Sequence, residues 1–262
     1  MIKFSVITVC LNAGEDLFYT VHNILEQKYD QYELIVKDGY SNDGSVEKLP
    51  LNSHLRFIQS KDISVYDAMN QAIDAAQGEY CIFINAGDGL YEDITLAKIN
   101  EFIETHKGDF YYGKSYTISS GVTNYGPAHV DDFFCYRTTM CHQAMVIKTE
   151  YLKKRGYQTC YQVAADREWM VYAYMTAKMK FVRMPITVSN YKGGGISYGN
   201  DVLSKIREEN KKIRCSYFSK TQRFKYNIRY ALTLPGVRSW ISRNPKLKKL
   251  YYKFRYQYLS RG

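Results

Sequence analysis

Short apolar runs alternate with amphipathic stretches from the N-terminus to about residue 115. Apolar, β-branched runs indicate buried strands, whereas apolar residues at helical spacing indicate helices that pack on a sheet. The pattern predicts strands at 4–9, 32–36, 55–58 and 80–84, and helices at 16–27, 65–76 and 94–105. Because these units are joined by short connections, we expect an α/β fold with a mostly parallel sheet flanked by helices.

The regular alternation ends at Ser119, and the signals that follow are mixed. Residues 119–141 are rich in Gly, Thr and aromatic residues, which favours a long loop at an active site. Further strands are predicted at 110–118, 143–148 and 181–184, the last stopped by Pro185, and further helices at 150–155 and 163–178. The glycine run at 193–197 predicts a turned loop that is placed to close as a lid.

The net charge of +10 is concentrated at the C-terminal end. Residues 205–262 hold 17 Lys and Arg against 2 Asp and Glu, a balance of +15 (17 − 2). The other 204 residues hold 19 against 24, a balance of −5 (19 − 24). We therefore divide the chain into a domain over residues 1–200 and a basic, aromatic, helical extension over residues 201–262.

Aromatic residues interleave with the bases over residues 211–262, a combination typical of membrane interfaces. We predict that this segment meets an anionic membrane surface. Nucleic-acid binding uses the same residue types, but the acidic body of the chain disfavours it, so no nucleic acid is expected. A third interpretation is a basic helical pair that packs on the domain through its aromatic side chains.

Several classes of protein are disfavoured by composition. No apolar run approaches the roughly 20 residues that span a bilayer, and the first residues lack the features of a signal peptide. The six cysteines include no CxxC pair, which argues against a zinc or redox motif. Buried free thiols at Cys10 and Cys81 fit a reducing compartment. We expect a cytoplasmic protein, peripheral at the inner face of the cell membrane.

Acidic residues follow three of the predicted strands: Asp38, Asp62 and Asp88. The carboxyl ends of parallel strands lie at one edge of a sheet, where open α/β sheets bind ligands. Asp38 is placed to accept a hydrogen bond from a nucleobase N–H. Asp88 is a hard oxygen ligand suited to Mg²⁺ or Mn²⁺ holding a diphosphate. The alternative is ordinary turn chemistry, with Asp38 in an Asp-Gly turn and Asp88 capping the next helix.

The order and spacing of seven segments resemble the successive motifs of family 2 glycosyltransferases. The segments are SVITVCLN (5–12), KDGYSNDGS (37–45), VYDAMN (65–70), GEYCIFINAGD (78–88), HQ (142–143), AADRE (164–168) and GGGIS (193–197). The resemblance covers roughly residues 3–200. It implies a GT-A-like, Rossmann-type fold and an inverting, metal-dependent hexosyltransferase of bacterial exopolysaccharide, O-antigen or capsule assembly. It also implies a UDP-sugar donor and a saccharide or lipid-linked saccharide acceptor.

The resemblance assigns roles to nine positions. Five would form the nucleotide site: Thr8, Asn12, Asp38, Asp67 and Asn70. Asp88 would hold the Mn²⁺ or Mg²⁺ ion, and Asp166 would be the general base. His142 and Gln143 would border the acceptor and the diphosphate. Inverting transfer needs one base for the acceptor hydroxyl and one electrophile for the leaving diphosphate, which agrees with this assignment.

Two positions depart from the family pattern. The metal-binding element usually carries two acids, but Gly87 precedes Asp88 here, so the metal would depend on Asp88 and the diphosphate oxygens. Lys37 stands where many relatives carry an acid before Asp38, which leaves the identity of the nucleotide open. The alternative function is a non-catalytic nucleotide- or membrane-binding module that retains the fold.

Overall fold

The computed structural model describes residues 2–193 and 200–233, together with Ile241 and Asn244. In this part of the chain, nine strands form one sheet that is flanked by eight α-helices. The strands are β1 (Phe4–Cys10), β2 (Tyr32–Asp38), β3 (Leu55–Gln59), β4 (Tyr80–Phe83), β5 (Gly89–Leu90), β6 (Phe110–Thr117), β7 (Val122–Asn124), β8 (Met145–Lys148) and β9 (Phe181–Tyr191). The helices are α1 (Glu15–Leu25), α2 (Val65–Ala75), α3 (Thr95–Thr105), α4 (Asp132–Arg137), α5 (Thr149–Arg155), α6 (Ala165–Met175), α7 (Asn200–Tyr217) and α8 (Lys220–Leu232).

The strand order is β3-β2-β1-β4-β8-β6-β9-β5, with β7 paired to β6. The predicted α/β fold is confirmed, and the first four strands pair in parallel as expected. The other half of the sheet is mixed, because β8 runs antiparallel to β4 and β6 while β9 runs parallel to β6. The carboxyl ends of β1, β2 and β4 therefore lie side by side at one edge.

The core consists of two apolar layers, one on each face of the sheet. Both β1 and β2 are buried along their whole length, so their side chains alternate between the two layers. Ile7 and Ile35 pack in the layer under α2, whereas Val6 and Leu34 pack in the layer under α1. This double burial explains why the strands are continuous apolar runs in the sequence.

The last long strand, β9, does not stop at Pro185 as predicted; it continues to Tyr191. Its pairing with β6 shifts register around the proline, where residues 184–186 lie between successive partners of the neighbouring strand. Such an irregularity tolerates proline because no regular ladder hydrogen bond is required there. Gly113 faces this irregularity, and a Cβ at that position would come within 2.6 Å of the Ile186 carbonyl oxygen.

The region predicted as a loop over residues 119–141 contains two short elements, strand β7 and helix α4. Asp131 caps α4, because its carboxylate accepts a hydrogen bond from the Phe134 backbone N–H at 2.6 Å. Four of the six residues of α4 are buried. The prediction of a long loop over this whole range is therefore wrong in part.

The described part of the C-terminal region packs on the domain. The apolar layer that contains α2 and α6 also includes three side chains from this region: Ile213 in α7, Phe218 between α7 and α8, and Tyr226 in α8. Ser219 and Gln222 form a capping box that begins α8. No helix among the described residues is long and apolar enough to cross a membrane. The remainder of the basic segment, 234–262, lies outside the described residues, apart from positions 241 and 244.

Helix α7 is fixed to the loop that precedes α6 by a buried carboxylate. Glu209 is 4% exposed, and its two oxygens accept hydrogen bonds from the backbone N–H groups of Gln162 at 2.7 Å and Val163 at 3.1 Å. Asn210, the next residue, accepts a hydrogen bond from Arg167 in α6. The first turn of α6 is thus positioned partly by a helix from the C-terminal region.

We expect Glu209→Ala to lower the free energy of unfolding by about 2–4 kcal/mol, because two buried amides lose their charged acceptor. The matched control is Glu208→Ala, since Glu208 is exposed and forms an ion pair with Lys212 on the same helix. That change should leave the free energy of unfolding close to the wild-type value, because an exposed ion pair contributes little. Urea unfolding of the full chain measures both values, and equal losses would contradict the docking of α7.

Candidate active site

The candidate active site lies at the edge where β1, β2 and β4 end. The loops after these strands carry Asn12, Asp38 and Asp88, and α6 brings Asp166 toward the same side. Contacts link the two acidic groups. Gln143 donates a hydrogen bond to Asp88, and the adjacent His142 lies 3.0 Å from the Tyr157 hydroxyl oxygen. The Tyr157 ring centroid is 5.6 Å from that of Tyr66, whose hydroxyl donates to Asp166. The structure therefore brings the predicted metal ligand and the predicted base into one region.

Asp38 is completely buried at the end of β2. Its carboxylate accepts hydrogen bonds from the Ser41 backbone N–H at 2.9 Å, from the Ser41 hydroxyl, and from Gln59 Nε2 at 3.0 Å. Burial by itself would raise the pKa of Asp38, but the hydrogen bonds from Gln59 and Ser41 outweigh it, so the pKa is lowered. Asp38 is an ionised acceptor whose orientation is fixed by its own loop.

The third acid at this edge, Asp62, forms an ion pair with Lys37. The Lys37 side chain is fully buried, and its ammonium also donates to the Ser60 carbonyl oxygen at 2.7 Å. A Cβ on Gly39 would lie 2.8 Å from an oxygen of Asp62, so the turn after Asp38 has no room for a side chain. The lysine that departs from the family pattern thus supplies the cation for Asp62.

Thr8 and Asn12 brace the loops of this edge. The buried Thr8 hydroxyl donates to the Ile84 carbonyl oxygen at 2.8 Å, which links β1 to the segment leading to Asp88. Asn12 has a left-handed backbone (φ 51°), and its Oδ1 accepts from the Asn42 N–H at 2.9 Å. Both predicted nucleotide-site residues are at the edge, where their polar side-chain groups are engaged by the protein itself.

The two predicted residues on α2 have similar bracing contacts. Asp67 accepts hydrogen bonds from the Ile63 N–H at 3.0 Å and from Gln71 at 3.2 Å, which shapes the turn between β3 and α2. Asn70 makes two hydrogen bonds to the backbone of Tyr157, at 2.9 Å to the carbonyl oxygen and 2.7 Å from the N–H. Asn70 therefore fixes the segment that carries the Tyr157 ring.

Asp88 is 4% exposed and joins three separate segments. One carboxylate oxygen accepts from the Lys192 backbone N–H at 2.9 Å, and the other accepts from Gln143 Nε2 at 2.8 Å. Burial raises the pKa of Asp88 to about 6, although these two hydrogen bonds act in the opposite direction. The carboxylate is therefore ionised at neutral pH and fixed in position.

Gly87 stands where the sequence resemblance leads one to expect a second acid, and its surroundings give a physical reason for the glycine. Its backbone is left-handed (φ 90°), and a Cβ there would approach an Asp16 oxygen to 3.1 Å. Asp16 in turn accepts a hydrogen bond from the Lys192 ammonium at 2.6 Å. A side chain at position 87 would be strained, and a carboxylate there would face Asp16.

The donor set at Asp88 is compatible with a divalent cation. Each oxygen of its carboxylate accepts one hydrogen bond from the protein and retains a further lone pair. Mg²⁺ is commonly held by one or two carboxylates and completed by phosphate oxygens and water. Within the described ranges, no group of three or more His, Cys, Asp or Glu side chains could hold a metal by itself.

Asp166 lies in the first turn of α6, and one of its oxygens accepts a hydrogen bond from the Tyr66 hydroxyl at 3.2 Å. Behind it, Arg167 is 4% exposed and donates to the carbonyl oxygens of Cys135 and Tyr136 at 3.1 and 3.0 Å. These bonds join α6 to the end of α4. Asp166 is therefore held between α2 on one side and the C-terminal half of the domain on the other.

His142 and Gln143 belong to one turn of 3₁₀ helix between α4 and β8, at residues His142–Ala144. The His142 ring stacks on Phe83 with centroids 4.9 Å apart, and its Nε2 is 3.0 Å from the Tyr157 hydroxyl oxygen. Burial lowers the pKa of His142, although the charge of Asp166 acts against it. His142 is therefore neutral at pH 7, while the adjacent Gln143 holds Asp88.

The sequence did not indicate several of the residues that position this site. They are Asp16, Gln59, Tyr66, Tyr157 and Lys192, each of which contacts a predicted site residue or its immediate support. Only Tyr66 had a local signal, since it lies within the VYDAMN segment. The glycine lid predicted over 193–197 lies outside the described residues, except for Gly193, whose φ is 86°.

Three large apolar side chains are exposed at this edge: Leu11, Tyr40 and Ile63. Each follows one of the parallel strands, and Leu11 lies next to Gly39, since a Cβ on that glycine would be 3.5 Å from its Cδ1. Apolar surface beside fixed polar acceptors is typical of ligand sites, where it supplies contact area.

Comparison with known proteins identifies the family. The sequence profile described as Glycosyl transferase family 2 matches residues 5–167. A PGL/p-HBAD biosynthesis glycosyltransferase from Mycobacterium bovis is 30% identical over 210 residues, which cover 77% of this chain and 81% of the relative. TarP of Staphylococcus aureus, a poly(ribitol-phosphate) beta-N-acetylglucosaminyltransferase, is 24% identical over 99% of this chain and 87% of its own length.

Solved structures show the same fold. S. aureus TarS in complex with UDP-GlcNAc has a TM-score of 0.65 and 19% identity, over 79% of this chain and 65% of the TarS fragment. The mannosyltransferase PcManGT from Pyrobaculum calidifontis, in complex with GDP-Man and Mn²⁺, has a TM-score of 0.58 and 15% identity over 91% of this chain and 82% of its own. The sequence resemblance is thus confirmed: the chain belongs to glycosyl transferase family 2 and is a glycosyltransferase with the GT-A fold.

Proposed function

We propose that this glycosyltransferase moves a hexose from a UDP-sugar, with inversion, to a hydroxyl of a saccharide or lipid-linked saccharide in surface polysaccharide biosynthesis. The observation that carries the proposal is the arrangement around the 3₁₀ turn at His142–Ala144. Gln143 from this turn fixes Asp88, while His142 contacts Tyr157. The Tyr157 ring packs against Tyr66, whose hydroxyl donates to Asp166. One turn thus separates a carboxylate for the diphosphate side from a carboxylate for the acceptor side.

The choice of UDP draws support from the relatives. TarS has been solved with UDP and with UDP-GlcNAc, and TarP is named as an N-acetylglucosaminyltransferase. In this chain, Asp38 is an ionised acceptor at the edge, and the exposed Leu11 and Tyr40 offer apolar area to a base. The names of two relatives, one in PGL/p-HBAD biosynthesis and one acting on poly(ribitol-phosphate), support an acceptor from the cell surface.

Asp166 is the proposed general base. Its carboxylate takes the proton from the acceptor hydroxyl as that oxygen bonds to the anomeric carbon on the face opposite the diphosphate. The bond from the anomeric carbon to the diphosphate oxygen breaks, and its electron pair leaves with the diphosphate. Tyr66 donates to one carboxylate oxygen of Asp166 and thereby orients the other toward the acceptor. A single displacement of this kind inverts the configuration.

His142 is an unsuitable base for the same step. Its Nε2 is engaged with the Tyr157 hydroxyl, and its ring is stacked on Phe83. We assign it to the acceptor side as a neutral residue that shapes the pocket next to Asp166. Its neutrality also avoids a second positive charge that would compete with the metal for the diphosphate.

Asp88 is the proposed ligand of Mn²⁺ or Mg²⁺, with the diphosphate oxygens as the other ligands. The ion would neutralise the charge that develops on the departing diphosphate. Gln143 and the Lys192 N–H hold the carboxylate in place for this role. A single carboxylate gives little affinity for the metal ion unless the nucleotide supplies further oxygen ligands. We therefore expect metal and nucleotide to bind together.

The proposed location is the inner face of the cell membrane, on the cytoplasmic side. The balance of +15 over residues 205–262 supports attraction to anionic lipid, whereas the balance of −5 over the rest disfavours binding to nucleic acid. A lipid-linked acceptor would be presented at the same surface. Membrane contact and glycosyl transfer are separate parts of the proposal and are tested separately.

We expect Asp88→Asn to remove the metal-dependent part of UDP binding, because the amide keeps the shape but not the charge. In calorimetric titrations with Mn²⁺, UDP affinity should fall about tenfold or more, whereas the affinity in EDTA should be little changed. Asp93→Asn, at an exposed acid five residues on, is the matched control and should behave as wild type.

Titrations of GDP and dTDP test the nucleotide. Tighter binding of either one would replace UDP as the donor nucleotide. Metal-dependent affinity that survives in Asp88→Asn would contradict the role of this carboxylate.

We expect Asp166→Asn to lower transfer by about two to four orders of magnitude while leaving UDP affinity unchanged, because the base acts on the acceptor alone. Radiolabelled UDP-sugars offered with a panel of saccharide and lipid-linked acceptors measure transfer. Asp74→Asn, an exposed acid on α2, is the control and should retain activity. Full activity in Asp166→Asn would refute the assignment, and UDP binding without turnover in wild type would favour the non-catalytic module.

We expect acid to destabilise the folded protein partly through His142. Burial lowers its pKa from 6.5, so below about pH 6.5 the unfolded chain binds a proton that the folded chain does not. Stability is therefore lost as the pH falls, by at most about 1.4 kcal/mol per pH unit in that window. Urea unfolding at about pH 7 and about pH 5 should show a smaller loss for His142→Gln than for wild type. The exposed His129→Gln should keep the wild-type dependence, and identical slopes in all three proteins would contradict the assignment.

A further inference from the structure

The outer face of helix α8 carries a stripe of exposed apolar side chains. Phe224 is 70% exposed, Ile228 is 49% exposed and Leu232 is 75% exposed. They recur every fourth residue, so they lie on the same side of three successive turns. We propose that this stripe is the membrane-contacting element, with α8 lying in the plane of an anionic lipid surface. The inference deepens the proposed membrane location and depends on it.

The orientation of α8 is fixed by its inner face, which packs on the domain. Tyr226 is 8% exposed, and its ring centroid lies 5.3 Å from that of Tyr136 and 5.7 Å from that of Phe133. The Arg229 guanidinium lies 4.0 Å from the Phe133 ring centroid. Because these contacts use the inner face, the side that carries the stripe is directed away from the domain.

The N-terminal end of α8 is equally well fixed. Ser219 and Gln222 exchange capping hydrogen bonds at this end, and further along the helix the Tyr136 hydroxyl donates to Asn227 Oδ1 at 2.7 Å. The stripe is therefore presented by a helix that is already formed and anchored. A preformed element loses less conformational freedom on binding than one that must fold at the surface.

The charges on α8 identify the partner. The helix contains four bases and no acid: Lys220, Arg223, Lys225 and Arg229. Lys220 and Lys225 are exposed, and they lie four residues before and one residue after Phe224. A lipid surface with anionic headgroups satisfies both features at once, since the apolar stripe enters the acyl boundary while the bases meet phosphates. Nucleic acid would pair with the Lys and Arg side chains but would leave the apolar stripe exposed, so we assign this surface to lipid.

The chain offers a matched control for the stripe. Leu51 is fully exposed in the loop before β3, outside α8 and its packing partners. Leu232→Glu and Leu51→Glu therefore place the same charge at an exposed leucine, one inside the stripe and one outside it. A double variant, Phe224→Glu with Leu232→Glu, strengthens the comparison at both ends of the stripe.

The test is co-sedimentation of the full chain with vesicles of phosphatidylcholine, alone or mixed with phosphatidylglycerol. We expect wild type and Leu51→Glu to bind the mixed vesicles equally, and Leu232→Glu to bind about tenfold more weakly. Lys220→Gln with Lys225→Gln should lower binding to mixed vesicles and reduce its salt dependence. Circular dichroism and UDP titration confirm that each variant is folded.

The possible results distinguish this inference from the proposed membrane location and from the proposed glycosyl transfer. Stripe variants that bind mixed vesicles like wild type would overturn the inference, and loss of binding on removing residues 234–262 would then assign the contact to that segment. Wild type that binds no vesicle would overturn the membrane location as well. A change from dimer to monomer in the stripe variants, with unchanged vesicle binding, would also overturn the inference in favour of a second copy of the chain. UDP binding and transfer test the glycosyltransferase proposal in each case.

Discussion

The two hydrogen bonds on Asp88 are the constraint on which the rest of the candidate site depends. They join the loop after β4, which carries Asp88, to the turn before β8 and to the end of β9. Their donors, Gln143 and Lys192, lie 55 and 104 residues further along the chain. A buried carboxylate with a raised pKa is stable only if such donors are present. Because Asp88 needs these donors, Gln143 and Lys192 lie beside it. Their contacts set the position of the turn before β8 relative to the edge of the sheet.

The same principle of satisfied charge extends along the whole edge. Asp38 is satisfied by Ser41 and Gln59, and Asp62 is satisfied by the buried Lys37. Without such partners the neighbouring carboxylates would repel one another, and burial would raise the pKa of Asp38. The protein thus keeps several negative charges at one edge by pairing each with its own donors. This is also how the site retains acceptors that are already ionised and oriented.

The sequence predicts the parts of this protein that depend on local patterns. Buried strands β1, β2 and β4 are read from apolar runs, and Asp38 and Asp88 are placed at one edge because parallel strands end there. The partners of those acids are long-range contacts, so no spacing rule indicates Lys192, Tyr66 or Gln59. The prediction that a strand ends at Pro185 fails for a different reason. A register shift opposite Gly113 accommodates the proline inside β9. Helix α4 is too short for its periodicity to be recognised within a loop-like composition.

The turn at His142–Ala144 has a consequence for how this enzyme can diversify. Neighbouring side chains on a single turn serve the two halves of the site, since Gln143 contacts Asp88 and His142 contacts the Tyr157 ring that Asn70 holds in place. Any substitution that rotates this turn alters both halves together. Under the roles proposed above, donor and acceptor preferences are therefore linked. Changes in one preference alone must arise elsewhere, in loops that contact only one substrate.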